Sequence, residues 1–237
     1  MELELNPALD ANALASAFAT KGRIHIENLW TTPGAERIHA CLEGETPWRL
    51  VYYDAGQPVQ LTADQMQAMD RDAQNALINQ IMTRARNEYQ FLYYTYPMLT
   101  AYIEGWDPEL FLHRVFEFIN SPPMLEFVRQ VTGFDDIIKA DAQATMYRNN
   151  QFLCYHQDQF DDEGWRVAYV LNFTKGWRPD WGGFLQFYND DLNIEDAYLP
   201  KFNALNMFAV PADHSVSYIT PFAGAPRYSI TGWFRNK

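Results

Sequence analysis

His156 and Asp158 lie two residues apart in the segment Phe152 to Asp158. In an extended strand, residues i and i+2 face the same side, so this pair projects an imidazole and a carboxylate into one space. Those two groups are two-thirds of the 2-His-1-carboxylate set that holds non-haem Fe(II) and leaves coordination positions open. A third ligand must come from elsewhere in the chain, which has five histidines. His25, His39 and His113 lie in the N-terminal half, whereas His214 follows Pro211-Ala212-Asp213 and begins a predicted strand. A His-x-Asp pair by itself is a common coincidence, and a histidine at a strand start is also compatible with a satisfied surface residue. The same three ligands could instead hold zinc and a water for hydrolysis.

Arg227 narrows the chemistry. A cosubstrate with a carboxylate at each end needs a fixed cation at its far end, and the planar guanidinium binds a carboxylate through two hydrogen bonds. Alternation puts Arg227, Ser229, Thr231 and Trp233 on one strand face and Tyr228 and Ile230 on the other. A buried arginine beside a hydroxyl is costly unless an anion arrives. The bland alternative is a surface ion pair with one of the many acidic residues.

These residues need elements to position them. After about residue 138 the chain reads as short aromatic and β-branched segments separated by Gly, Pro, Asn and Asp. Strands are expected at 145–147, 152–156, 165–174, 183–188, 203–210, 215–220 and 227–234, a spacing that suits a sandwich or barrel. The first part reads as mainly helical. A short amphipathic helix over 7–20 ends at Gly22, and Arg23 to Glu27 alternates like a half-buried strand. Thr32-Pro33 opens a second helix with Ile38 and Leu42 as its apolar stripe. Residues 46–60 read as a strand or an irregular crossing. A long helical region starts at a Thr62–Gln65 capping box and runs toward the aromatic stretch Tyr89 to Tyr96, broken at Pro97. That stretch is expected in the core. Asp107-Pro108 and Ser121-Pro122 open two further helices, the last ending at Gly133.

Net charge is −12 and 16% of the 237 residues are aromatic. A large core is available, and an acidic chain without a Lys/Arg cluster argues against nucleic-acid binding. No apolar run is long enough for a membrane-spanning helix, and no secretory signal pattern opens the chain. Cys41 and Cys154 share no metal-type spacing and are expected to be reduced thiols of a cytoplasmic protein.

The order His156-x-Asp158, 55 residues (159 to 213), His214 and then Arg227 resembles the Fe(II)/2-oxoglutarate-dependent dioxygenases, in particular their prolyl 4-hydroxylase-like branch. Arg227-Tyr228-Ser229-Ile230-Thr231-Gly232-Trp233 is similar to the branch's cosubstrate strand, and Trp181-Gly182-Gly183-Phe184-Leu185 to its Gly-Gly-x-Leu turn. Tyr147 lies where that branch often has a tyrosine facing 2-oxoglutarate, and Trp165 to Asn172 looks like the strand after its iron motif.

The resemblance, over roughly residues 140–235, implies an α+β fold. Its core is a double-stranded β-helix (jelly roll) in residues 138–237, and the mainly helical residues 1–137 pack on one sheet within a single domain. It implies Fe(II) held by His156, Asp158 and His214, with O2 and 2-oxoglutarate as cosubstrates. Arg227 pairs with the distal carboxylate, and Ser229 and Tyr147 hydrogen-bond it. The implied reaction hydroxylates an unactivated C–H bond of a prolyl residue or proline-like amino acid and releases succinate and CO2. Candidate substrate contacts are Tyr155, Asp161, Asp162, Trp165, Arg166 and Trp233. The rival readings are a zinc-dependent hydrolase and a non-catalytic jelly-roll binding protein. Peptide, protein or small amino-acid substrates all remain open, as does the oligomeric state.

Overall fold

The computed structural model describes residues 3–158 and 163–237. The N-terminal part is more than helices. Helix α1 (Ala11–Lys21) is capped by the Asp10 carboxylate and ended by left-handed Gly22, and strand β1 (Arg23–Glu27) follows. Helix α2 (Thr32–Gly44) buries Ile38 and Leu42. Residues 49–61 form a hairpin, β2 (Arg49–Asp54) and β3 (Gln57–Leu61), around a turn in which Ala55 and Gly56 both have positive φ. The Thr62–Gln65 capping box opens α3 (Ala63–Ala68), and Asp70 caps a separate helix α4 (Arg71–Arg84).

The expected helical run does not continue through the aromatic stretch. Residues Phe91–Tyr96 are strand β4, because a run of aromatic and β-branched residues packs best on a pleated surface and three strands are there to pair with it. Helices α5 (Met98–Glu104), α6 (Leu112–Ile119) and α7 (Pro122–Thr132) complete this half.

The second half is β5 (Lys139–Ala140), β6 (Gln143–Tyr147), β7 (Phe152–Gln157), β8 (Trp165–Asn172), β9 (Leu185–Tyr188), β10 (Ile194–Tyr198), β11 (Ala204–Ala209), β12 (Asp213–Val216) and β13 (Arg227–Arg235). They form an antiparallel, jelly-roll-like sheet in the order β1-β11-β8-β13-β6-β4-β7-β12-β9-β10. The N-terminal part thus donates β1 to one edge and β4 to the middle. β4 pairs with β6 through Tyr94 to Tyr96 and with β7 through Phe91 and Leu92, joining the two walls of the sheet.

Alternation sorts the sheet's two faces. On β8, Val167, Tyr169 and Leu171 join the helices' apolar residues, while Ala168 and Val170 pack in a separate interior cluster with Leu185, Phe187 and Phe208. On β13, Tyr228, Ile230 and Phe234 also turn to the helices. Helix α7 adds Met124, Leu125, Phe127, Val128 and Val131 to the same cluster. Burying each such side chain stabilises by roughly 1.5–3 kcal/mol, so the helices cover the sheet's outer face and leave its inner face free to line a cavity.

Candidate active site

The two histidines meet because β12 runs antiparallel to β7 and places His214 directly opposite His156. Their ring centroids are 4.2 Å apart. The Nδ1 of His156 lies 2.9 Å from the Cys154 carbonyl, and the Nδ1 of His214 lies 2.9 Å from the Ala212 carbonyl. A carbonyl only accepts, so each Nδ1 carries the proton and each Nε2 presents its lone pair. Those Nε2 atoms stand 3.6 Å and 3.8 Å from the two carboxylate oxygens of Asp158. All three ligand atoms lie within 4.8 Å of one another. Donors about 2.1 Å from a common centre would be roughly 3–4 Å apart, so the set fits a single metal ion. Burial, and next the neighbouring His156, push His214 down to about 4, which keeps the ring neutral and ready to ligate.

A β-bulge sharpens this arrangement. His214 faces His156, yet Val216 faces Leu153, so β7 carries one extra residue between the two pairs. Leu153 and His156 therefore both line the cavity, and Cys154 packs on the outside with Phe152 and Met82. Unbroken alternation would have turned the Cys154 thiol to the ligand side.

Asp158 has a further partner. Trp233 Nε1 donates to Asp158 Oδ2 at 2.9 Å, and the Trp233 ring stacks on Trp165 at 4.1 Å with the planes 7° apart. The Trp233 backbone is held in turn by Asp141, whose Oδ1 accepts from Trp233 N at 2.8 Å. Gly232 makes room for that contact, since a Cβ there would lie 2.2 Å from the Asp141 carbonyl oxygen.

The same cavity, of about 570 Å³, reaches Arg227. Register places Arg227 opposite Tyr147 and Ser229 opposite Thr145. The guanidinium lies 5.2 Å over the Tyr147 ring and donates to Ser229 Oγ at 3.0 Å. Ser229 Oγ is also 2.8 Å from Thr145 Oγ1. Arg227 is 1% exposed, its Nε has no hydrogen-bond partner, and no carboxylate pairs with it among the described residues. Burial pulls its pKa down to about 10, so it remains a cation at neutral pH. A buried, incompletely satisfied guanidinium is costly alone and is what a carboxylate ligand would complete. Gly183 leaves space for its stem: a Cβ there would lie 3.2 Å from Arg227 Cδ.

The other expected residues divide. Tyr147, Trp165 and Trp233 line the cavity. Ser229 is fully buried and holds Arg227 in place. Tyr155 does not reach the site. As the immediate neighbour of His156 it points to the other side of β7, where its hydroxyl donates to Asp213 at 2.5 Å and its ring meets Tyr188 edge-on. Arg166 also faces away and pairs with Asp136 at 2.6 Å. Asp161 and Asp162 lie outside the described residues.

Sequence reasoning missed the contribution of β2–β4. Tyr53, Tyr89, Phe91 and Tyr93 line the cavity, together with Gln143 and Thr145. The signal was present: Tyr89, Phe91 and Tyr93 occupy alternate positions, which is the period of one face of a strand.

Comparison with known proteins agrees with this geometry. Residues 142–235 match the 2OG-Fe(II) oxygenase superfamily. Over 115 residues the chain is 30% identical to prolyl 3-hydroxylase OGFOD1 of Mus musculus, covering 46% of this chain and 21% of that protein. Among solved structures, a prolyl-4-hydroxylase from Pseudomonas putida superposes with a TM-score of 0.53 at 20% identity, over 96% of this chain and 100% of the other. A Trichoplax adhaerens prolyl hydroxylase, solved with a hypoxia inducible factor peptide fragment, gives 0.60 at 14% identity, over 95% and 89%. These two similarities establish the fold.

Proposed function

We propose, from the match of residues 142–235 to the 2OG-Fe(II) oxygenase superfamily, that this chain is an Fe(II)- and 2-oxoglutarate-dependent dioxygenase hydroxylating a prolyl residue. One observation carries the reading. A buried cation without a carboxylate partner among the described residues, Arg227, lines the same cavity as a His-Asp-His ligand set. A hydrolytic zinc site has no use for such a dicarboxylate anchor.

In this reading His156, Asp158 and His214 hold Fe(II). Arg227 takes the distal carboxylate of 2-oxoglutarate, with Tyr147 beside it. When bound, iron and 2-oxoglutarate supply the oxidation, with O2 consumed and succinate and CO2 released. The chain's own work is orientation and exclusion. Two backbone carbonyls fix both imidazole tautomers, the Trp233 indole holds the Asp158 carboxylate, and Ser229 aims Arg227. Apolar walls keep water from the reacting centre.

The lining favours a residue within a peptide over a free amino acid. Arg227 is the one Lys or Arg among the described lining residues. Once it holds the cosubstrate, no cation is left there for a free α-carboxylate. The activities for which the relatives are named, prolyl 3-hydroxylase and prolyl-4-hydroxylase, agree on proline and differ on the carbon. We also read residues 1–237 as one domain, since β1 and β4 pair into the C-terminal sheet. Among the described residues no helix is long and apolar enough to cross a membrane.

The test is succinate formation from 2-oxoglutarate by the Fe(II)-loaded protein. Proline-containing peptides and free amino acids are offered in parallel, with products read by mass for one added oxygen. Succinate with oxygen added to a peptidyl proline is the expected result. No succinate with iron, and hydrolysis with zinc, would overturn the reading.

A further inference from the structure

The cavity has two aromatic walls beside the ligand set, and only one lies in the family-matched segment. Trp165 and Trp233 form the first. The second is built from β2, the start of β4 and the residues just before it: Tyr53, Phe91 and Tyr89, all outside residues 142–235. The three rings pack mutually. Tyr53 and Tyr89 are 5.3 Å apart at 72°, Tyr53 and Phe91 are 5.8 Å apart, and Tyr89 and Phe91 are 5.9 Å apart at 69°. Tyr89 also lies 5.5 Å from the His156 ring, so the wall begins one ring away from the candidate metal ligand. It ends in solvent: Tyr89 is 37% exposed, and Gly56 and Pro58 of the β2–β3 hairpin extend the lining beyond it.

Three features select an occupant. The wall offers ring faces and edges rather than ionic groups. Among the described lining residues, the charged side chains are Asp158 and Arg227, both assigned other work in the reading above. Phe91 packs on Tyr93 of the same strand at 5.4 Å, and Tyr93 stacks on Tyr147 at 5.0 Å, so the mutually packed trio is a preformed surface. Rings tilted 56–72° to one another offer faces and edges to a compact neutral ring whose C–H bonds lie against the π faces; a carboxylate would lose its water there without a partner, and a hydrated ammonium would lose more on desolvation than the ring faces return. Backbone flanking such a ring would leave along the exposed Tyr89 and hairpin side.

We propose that Tyr53, Tyr89 and Phe91 form the specificity wall for the substrate residue, seating an uncharged saturated ring of a peptide beside His156. This rests on the functional reading above and adds to it the residues that choose the substrate. Tyr89 acts through its ring, not its hydroxyl.

The experiment uses the full chain loaded with Zn(II) and 2-oxoglutarate. Acetyl-Gly-Pro-Gly-amide, with acetyl-Gly-Lys-Gly-amide as comparator, is followed by saturation-transfer NMR and titration. 2-Oxoglutarate affinity is measured in parallel by calorimetry. The proline peptide is expected to bind at least about tenfold more tightly than the lysine peptide, with its ring protons most saturated. Tyr89→Ala and Tyr53→Ala each should weaken it by about tenfold or more, while Tyr89→Phe stays within about twofold of the parent. Equal binding of both peptides, or unchanged proline-peptide binding in both alanine variants, would overturn the proposal. So would Tyr89→Phe failing as badly as Tyr89→Ala. If the parent protein itself binds no 2-oxoglutarate, the functional reading fails instead.

Discussion

Trp233 Nε1 donates a 2.9 Å hydrogen bond to Asp158 Oδ2 and thereby ties β13, the strand that carries Arg227, to the carboxylate that follows β7. One indole thus links the cosubstrate strand to the ligand set. Replacing Trp233 with Phe keeps a ring to stack on Trp165 and removes only the donor. Metal affinity is expected to fall about 10–100-fold, the usual consequence of losing a partner behind a ligand. Titration with Mn(II) followed by electron paramagnetic resonance measures it. Unchanged affinity would mean the bond does not orient Asp158.

Arg227 sets function against stability. Burial disfavours its charge, and the described residues supply no counter-ion. Arg227→Met should leave the unliganded protein as stable as the parent or more so, by up to about 1–3 kcal/mol, since a desolvated polar group is removed. It should also abolish stabilisation by 2-oxoglutarate, which in the parent reaches about 2.7 kcal/mol at a hundredfold excess over Kd. Arg227→Lys should keep the charge and lose the two-point grip, weakening 2-oxoglutarate by about tenfold or more. Thermal melts with and without 2-oxoglutarate, plus calorimetry, separate these outcomes.

Gly183 supports the same arginine from behind. Its φ is +71°, and a Cβ would lie 2.6 Å from Ile219 Cδ1 and 3.2 Å from Arg227 Cδ. Gly183→Ala combines left-handed strain with a clash against a fully buried neighbour, and should destabilise by about 1–3 kcal/mol. The variant should also bind 2-oxoglutarate more weakly than an equally destabilised core variant such as Val128→Ala. Equal affinities in the two would remove Gly183 from the cosubstrate site.

The strand order ends at β1 and β10, and side chains join these two ends. Arg23 Nε donates to Asp196 Oδ2 at 2.6 Å, Lys21 Nζ reaches Asp196 Oδ1 at 3.0 Å, and His25 stacks on Tyr198 at 5.5 Å. Burial pushes the Asp196 pKa up, but the bonds from Arg23 and Lys21 outweigh it and leave the group below the ordinary carboxylate value. A depressed folded pKa means that the stabilisation is present above the unfolded value of about 3.9 and is lost as pH falls through the folded one. Asp196→Asn should therefore cost up to about 1 kcal/mol at pH 7, less in high salt. Urea melts should show the gap between parent and variant closing below about pH 4. A gap that stays constant down to pH 3 would exclude the ionic seam as its source.

Much of the site was legible in the chain itself. The period of two in a strand put His156 beside Asp158, and put Arg227, Ser229 and Trp233 on one face, because alternation is a property of the backbone and needs no partner. A capping box placed the start of α3, and prolines in the first turn placed those of α2 and α7, for the same local reason. What alternation cannot see is a register slip. The bulge that turns Cys154 outward and brings Leu153 in beside His156 exists only because β7 pairs with β12. Pairing also decided that the aromatic run from Phe91 is a strand, and so gave Tyr89, Phe91 and Tyr93 a face on the cavity where helical spacing offered none. The bond from Trp233 to Asp158 joins residues 75 positions apart, and the facing of His214 on His156 spans 58 (214 − 156). The sequence by itself determined which groups could ligate, anchor and alternate. The tertiary structure alone decided which of them share a cavity, because that depends on strand register, a long-range quantity that local residue preferences do not encode.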